Sequence, residues 1–431
     1  MKRKPHLTSG RKIVLCFLGV ILAGAVLLSL PISRNPGTSL SFLDALFTAT
    51  SATCVTGLIV TDTAETFNTF GRIVILIMIQ IGGLGVAVMG VGVTVLAGKR
   101  AGLRERDLVK ESWNVGSYYG LIRLLNRVLI MTACFEGLGA VLSTLAFMRE
   151  MPFRKALGTG IFHAISSFNN AGFDVFGGGT NMIPYYDDAP LCLITAGLII
   201  LSGLGYLVLL DIGKNGIKTR RYSLQTRIVL VMTAVLIAVG ARLLYALEDI
   251  SPLAAFFQSV SARTAGFGTV DFTTFSPGGI LAMCFLMFIG ASPGSTGGGI
   301  KTTTLFALLL SAKASAANTK RQTFKRKIPD EVFSKAFTLL FMAIAVVFVS
   351  SLLLAAFEPE LSMSQILFEA VSAFGTVGLS AGATPSLCSA SRIVLIVTMF
   401  IGRMGPITMA TVWVFKREPA FEYSEENITI G

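Results

Sequence analysis

Phe47-Thr-Ala-Thr-Ser-Ala-Thr-Cys-Val-Thr-Gly57-Leu58 is one of four related stretches whose reading decides the fold. The others are Phe162-His-Ala-Ile-Ser-Ser-Phe-Asn-Asn-Ala-Gly172-Phe173, Phe257-Gln-Ser-Val-Ser-Ala-Arg-Thr-Ala-Gly266-Phe267 and Phe368-Glu-Ala-Val-Ser-Ala-Phe-Gly-Thr-Val-Gly378-Leu379. In three of them a phenylalanine stands ten residues before the glycine and a serine six before it. The copy ending in Gly266 is one residue shorter between serine and glycine, so one of four walls should differ in backbone detail. Four recurrences with matching flanks mark a copied supersecondary unit.

Around these stretches the chain is written for lipid. Of its 431 residues, 53% are hydrophobic and 14% charged, and the mean hydropathy is +0.72, above what one soluble core requires. Apolar runs near 20 residues, enough to cross about 30 Å of hydrocarbon, occur at 13–30, 73–96, 121–147, 191–210, 228–247, 333–357 and 393–415. The first follows a basic start, but no small-x-small cleavage pattern follows Leu30, so it reads as a span rather than a signal peptide. Each glycine stretch sits between two spans. The repeating unit is therefore a first span (M1), a short re-entrant helix (P), a glycine-bearing loop and a second span (M2), with P segments near 41–54, 155–169, 252–263 and 362–374. The expected fold is an all-α integral membrane protein with four pseudo-symmetric M1-P-M2 repeats around one central pore. The repeats are expected at 1–112, 113–221, 222–328 and 329–415, followed by a cytoplasmic tail at 416–431. The second spans repeat as well: Arg72-Ile-Val and Ile81-Gly-Gly-Leu-Gly85 match Arg392-Ile-Val and Ile401-Gly-Arg-Met-Gly405, with Ser202-Gly-Leu-Gly205 an echo.

The net charge of +12 belongs to loops, not to a nucleic-acid surface. Lys2 to Lys4, Lys99 to Lys110, Lys214 to Arg221 and 313–327 fall in alternate loops, which puts both termini in the cytoplasm. Arg149, Arg154 and Lys155 depart from that segregation. Six cysteines at scattered spacing and two histidines, His6 and His163, give no metal, disulfide or catalytic framework. No carboxylate cluster or nucleophile–base pair argues for an enzyme.

Irregular backbone at membrane depth persists only where it is buried in protein or lines water. Four such loops around an axis would line a hole, and their carbonyls would replace a cation's hydration shell. Glycine allows the dihedrals that aim successive carbonyls inward. At these residues the sequence resembles the membrane subunits of the Ktr potassium uptake systems, in the superfamily that includes Trk and plant HKT transporters. The resemblance covers nearly the whole chain and implies potassium uptake. It implies a selectivity filter at Val55, Thr56, Gly57, Asn170, Ala171, Gly172, Thr264, Ala265, Gly266, Thr376, Val377 and Gly378. It also implies possible sodium stimulation, a homodimer to whose interface the tail contributes, and a cytosolic RCK-type ring that binds ATP and ADP, this chain itself holding no nucleotide. Location in the cell membrane follows.

Two further features need a pore. Gly290-Ala-Ser-Pro-Gly-Ser-Thr-Gly-Gly-Gly-Ile-Lys301-Thr-Thr-Thr304 interrupts the third M2 with helix breakers. Ile300 before Lys301 and the missing βα context set it apart from a phosphate-binding loop. Arg403 occupies the place of Gly83 in the first repeat, well inside the last M2, where charge is costly. In the resembled family the loop obstructs the pore below the filter and an arginine in this helix faces it. A gate of Gly290, Pro293, Gly294, Ser295, Thr296, Gly297, Gly298, Gly299, Lys301 and Arg403 is therefore expected. A simple kink and a snorkelling arginine remain the plain alternatives. Asp44, Glu136, Arg242, Arg263 and Glu369 are read as ion-paired or interfacial. The rival function is an alternating-access transporter with inverted repeats, but charge counting makes these repeats parallel. With no coupling domain, potassium should run down its electrochemical gradient.

Overall fold

The structure, a computed structural model, describes residues 9–96, 102, 107, 109, 120–406, 408 and 409. The tail at 416–431 and the basic residues at 2–4 and 99–110 lie outside the described residues. Among the described residues, four helices are long and apolar enough to span a bilayer: Gly10–Ser29, Leu121–Phe147, Leu224–Leu247 and Asp330–Phe357. These are the M1 helices of units 1 to 4. Between 28 and 39% of their apolar windows is buried, so they form the outer wall and present apolar side chains such as Leu22, Leu145, Val239 and Phe348 outward.

Inside this wall lie the P helices, Phe42–Cys54, Phe153–Phe168, Pro252–Ser261 and Met363–Gly375. Their starts are set by local chemistry. Ser41 with Asp44 and Ser362 with Gln365 form capping boxes, and the Ser251 hydroxyl accepts from Ala254 N–H. At 10 to 16 residues and about 1.5 Å per residue, each ends near the middle of a membrane rather than crossing it. Their C-terminal halves are mostly buried, as in Thr48 to Cys54, with Ile161 of the second an exposed exception.

The second spans correct the expectation of continuous helices at 73–96, 191–210 and 393–415. Each is broken: Thr69–Leu84 stops at Gly85 before Val86–Leu96, Ala189–Leu204 stops at Gly205 before Tyr206–Asn215, and Ser389–Met404 stops at Gly405. The three glycines have φ of +91°, +90° and +84° with ψ between 132° and 144°, a region that side chains exclude. The second of these breaks turns the chain by 96°. In unit 3 the break widens to an irregular segment between Pro277–Phe288 and Thr302–Ala316. All four inner helices are therefore interrupted at matching places, where the sequence suggested one interruption.

Small residues let inner and pore helices touch. A Cβ on Gly82 would lie 2.0 Å from Thr53 O, and one on Gly402 would lie 2.0 Å from Phe374 O. Unit 4 closes on unit 1 through an ion pair between Arg392 and Asp44, both partly buried. The described cysteines are all free. His163 is buried with Nε2 2.8 Å from the Thr195 hydroxyl, an ordinary core partner.

Candidate ion pathway

The four loops that follow the P helices meet in a ring. A Cβ placed on Gly57 would lie 2.6 Å from Ala171 O, one on Gly172 2.8 Å from Ala265 O, one on Gly266 2.3 Å from Val377 O, and one on Gly378 2.1 Å from Thr56 O. The sequence of neighbours thus runs 57, 172, 266, 378 and returns to 57. Each glycine has positive φ, at 95°, 67°, 78° and 96°. Two residues before each one, Val55, Asn170, Thr264 and Thr376 also take positive φ, at 56°, 57°, 84° and 50°. Three of these are β-branched, for which this region costs on the order of 1–3 kcal/mol each. Positive φ at every second residue is the kind of backbone that can turn successive carbonyls toward one side, as a cation-coordinating column requires.

The recurring serine fastens each loop, a role its spacing did not reveal. Ser51 and Ser372 hydroxyls accept from Gly57 and Gly378 N–H at 3.0 and 3.1 Å. Ser166 and Ser261 instead donate to Phe173 O and Phe267 O at 2.7 and 2.6 Å. The same serines accept through their backbone carbonyls from Thr56, Ala171, Ala265 and Val377 N–H. Thr56, Ala171 and Val377 lie five residues on from their serines, whereas Ala265 lies four on from Ser261, so the missing residue of the third copy removes one wide turn and leaves the bond in place.

On one side of the ring opens a cavity of about 290 Å³ whose lining includes the four glycines and Asp62, Asp174 and Asp271. Burial pushes the Asp174 carboxyl up to about 6, and Asp62 nearby adds to the shift. The rim is strapped across units: Asp62 Oδ2 accepts from Gly179 N–H at 2.7 Å, Glu65 Oε1 from Gly178 N–H at 3.3 Å, and Asn181 Nδ2 donates to Gly266 O at 3.3 Å. These links join distant sequence and carry no local motif.

On the other side the irregular segment of unit 3 presses against the glycine loops of units 3 and 4. Gly298 N–H donates to Thr376 Oγ1 at 3.0 Å, and a Cβ on Gly297 would lie 2.0 Å from Thr264 Oγ1. Gly290 and Gly299 back onto each other, with Gly299 at φ +66°. Pro293 O lies 2.6 Å from where a Cβ on Gly205 would be, and Gly294 O accepts from Tyr206 N–H at 2.9 Å. Arg403 donates to the carbonyls of Thr296, Gly82 and Gly83, so one guanidinium joins the loop to the inner helix of unit 1. Lys301 Nζ donates to Gly297 O at 2.6 Å and Gly298 O at 3.3 Å. Beyond lies a cavity of about 270 Å³ lined in part by Gly83, Tyr206, Gly294, Ser295, Gly297, Gly299, Lys301 and Arg403.

All the candidate residues therefore gather along one line, cavity, ring, loop, cavity. The other membrane charges are structural or peripheral. Asp44 pairs with Arg392. Glu369 accepts from the Ser380 and Thr384 hydroxyls and from Ala381 N–H. Glu136 accepts from Gln80 and Asn169. Arg263 is buried, enters no ion pair among the described residues, and leaves Nε without a partner, so the expected pairing is not found there. Arg242 is exposed. Arg149, one of the exceptions to the charge pattern, pairs with Asp188, which holds the guanidinium above its ordinary range.

A family model described as TrkH, cation transport protein, matches residues 17–251 and 248–422. The chain is 37% identical over 436 residues to Ktr system potassium uptake protein B of Vibrio alginolyticus, covering 98% of this chain and 94% of that one. It is 37% identical over 428 residues to the protein of the same name from Bacillus subtilis, covering 96% and 95%. Identity to potassium/sodium uptake protein NtpJ of Enterococcus hirae is 36% over 434 residues, covering 96% and 95%. The crystal structure of the potassium transporter TrkH from Vibrio parahaemolyticus superposes with a TM-score of 0.73 at 21% identity, over 96% of this chain and 87% of that one. That likeness establishes the helical membrane fold. These relatives are named for ion transport, not for catalysis.

Proposed function

The chain belongs to the TrkH family of cation transport proteins, and from that premise we propose that it takes up potassium across the cell membrane through the ring of Gly57, Gly172, Gly266 and Gly378. The observation that carries this reading is the closure of the ring: four loops from four repeats, each glycine against the next loop's carbonyl, with no gap in the cycle. Backbone carbonyls substitute for water around a dehydrated cation without fixing negative charge in the membrane. Outside the ring, Asp62, Asp174 and Asp271 raise the local cation concentration. The filter extends over Val55 to Gly57, Asn170 to Gly172, Thr264 to Gly266 and Thr376 to Gly378.

The segment from Gly290 to Thr304 is the gate. It occupies the inner mouth of the ring, and Arg403 and Lys301 hold it there through its own carbonyls. Their charges also repel a passing cation. A cytosolic ring of RCK-type subunits, binding ATP and ADP, would draw the segment aside, with the chain seated on it as a homodimer and both termini in the cytoplasm. Sodium acts as an activator in this reading; the name of the Enterococcus relative, a potassium/sodium uptake protein, speaks only for sodium being involved. The four units divide at 112, 221 and 328. An inside-negative potential drives entry with about 2.3 kcal/mol per charge per 100 mV.

Rubidium uptake into proteoliposomes, with potassium or sodium as competitor and with sodium present or absent, tests the proposal. Potassium is expected to compete strongly and sodium weakly. Equal competition, or no uptake down a potassium gradient by folded protein, overturns it.

A further inference from the structure

On the outer side of unit 2, an open groove of about 740 Å³ lies between the helix Leu121–Phe147 and the inner helix that bends by 96° at Gly205. Both halves of the bent helix line it, Leu201 before the turn and Leu209 and Ile212 after it, with Phe135 opposite. Two cations complete the lining: Arg127, in the second turn of its helix, and Lys214, in the last turn of Tyr206–Asn215. Both are exposed and neither enters an ion pair among the described residues.

A groove in the lateral wall of a membrane protein faces acyl chains, and water in it would hydrate Phe135 and the leucines at a cost proportional to their area. Hydrocarbon is therefore its filling. The paired cations add a second requirement. A zwitterionic headgroup brings its own cation, whereas a net anionic phosphate satisfies both side chains, and basic pockets between spanning helices are headgroup sites. Snorkelling alone would explain one long cation, but not two from different helices lining the same apolar trough.

We propose that this groove binds an anionic phospholipid, with an acyl chain along Phe135, Leu201 and Leu209 and its phosphate between Arg127 and Lys214. The bound lipid braces the bend at Gly205, whose neighbour Tyr206 holds Gly294 of the unit 3 segment through its N–H. Any effect on flux rests on the gating reading above; occupancy does not, and is measured without transport.

Native mass spectrometry of the full-length protein, released from micelles titrated with phosphatidylglycerol or phosphatidylcholine, reads it. The wild type is expected to retain phosphatidylglycerol in preference to phosphatidylcholine. The double variant Arg127→Gln/Lys214→Gln should retain it about tenfold less or weaker still. Gly213→Leu tests the apolar half independently: a Cβ there meets no atom within 4 Å, so the new side chain occupies the groove without disturbing the packing, and it too should displace the lipid. Lys335→Gln, on the outer helix of unit 4, should change nothing. Equal retention of the two lipids by the wild type overturns the proposal, as does undiminished phosphatidylglycerol binding by the double variant or by Gly213→Leu. A loss in Lys335→Gln equal to that of the double variant also overturns it, because bulk surface charge would then suffice.

Discussion

A methyl group on Gly57 would lie 2.6 Å from Ala171 O, and φ there is +95°, so any side chain must both strain its own backbone and push the neighbouring wall outward. Gly57→Ser is expected to reduce discrimination of potassium over sodium by tenfold or more, a loss of about 1.4 kcal/mol, while the protein still inserts and folds. Competition of sodium against rubidium uptake reads this directly. Gly197→Ala, in open space on an inner helix, should leave selectivity as it is. Asp174 gives a second expectation. Its carboxyl, raised to about 6 mainly by burial, is charged above that value and neutral below it. Acidifying the outer medium through pH 6 should therefore raise the KM for potassium, and Asp174→Asn should flatten that dependence. KM measured from pH 5 to 8 in both proteins decides it. The glycine and serine spacings were legible because they repeat. The left-handed Val55 and Thr376 were not, because a β-branched residue in that region runs against its own preference and is held there by the ring.

The helix Leu121–Phe147 coincides with the apolar run read from sequence, and the P helices lie within about two residues of their expected ends, because hydropathy and caps are local signals. The breaks at Gly85, Gly205 and Gly405 escaped that reading. An apolar run continues through a lone glycine, and only the packing of four inner helices under one ring shows that the chain must turn there. The unit 3 segment was legible as a break from its Gly and Pro content. Arg403 was legible as its companion, because a charge inside an apolar span needs polar partners, whereas Thr376 and Tyr206, which come from other units, were not. Shortening 295–299 should raise uptake velocity and lessen its dependence on a cytosolic partner, with selectivity unchanged. Arg403→Ala should act the same way more weakly, since the segment still fills the inner mouth after the guanidinium is gone. Velocities with and without the partner separate these outcomes. A slower, well-folded deletion would make the segment part of the conduction path.

In the proposed topology all four P helices enter from the outside. A cysteine at position 320, beside the short hairpin of Gln322–Thr323 and Arg326–Lys327, should resist a membrane-impermeant thiol reagent applied to intact cells and react in inverted vesicles. The reverse pattern would turn the protein over. Arg392→Gln should destabilise the detergent-solubilised protein by about 1–3 kcal/mol, seen as a lower Tm, since it leaves the partly buried Asp44 carboxylate without its ion pair. That seam joins positions 348 residues apart, and Arg403 reaches Gly82 across 321. Such separations matter while the chain is being made. At about 5–20 residues per second, the first pore loop waits on the order of 20 to 60 s for its neighbour from the fourth unit. During that wait its carbonyls form one side of an unclosed trough, which lipid cannot satisfy. A ribosome that stalls before residue 360 would thus release no smaller pore. It would leave a three-sided polar cleft in the bilayer, a target for membrane quality-control proteases, and the last repeat translated acts as the keystone.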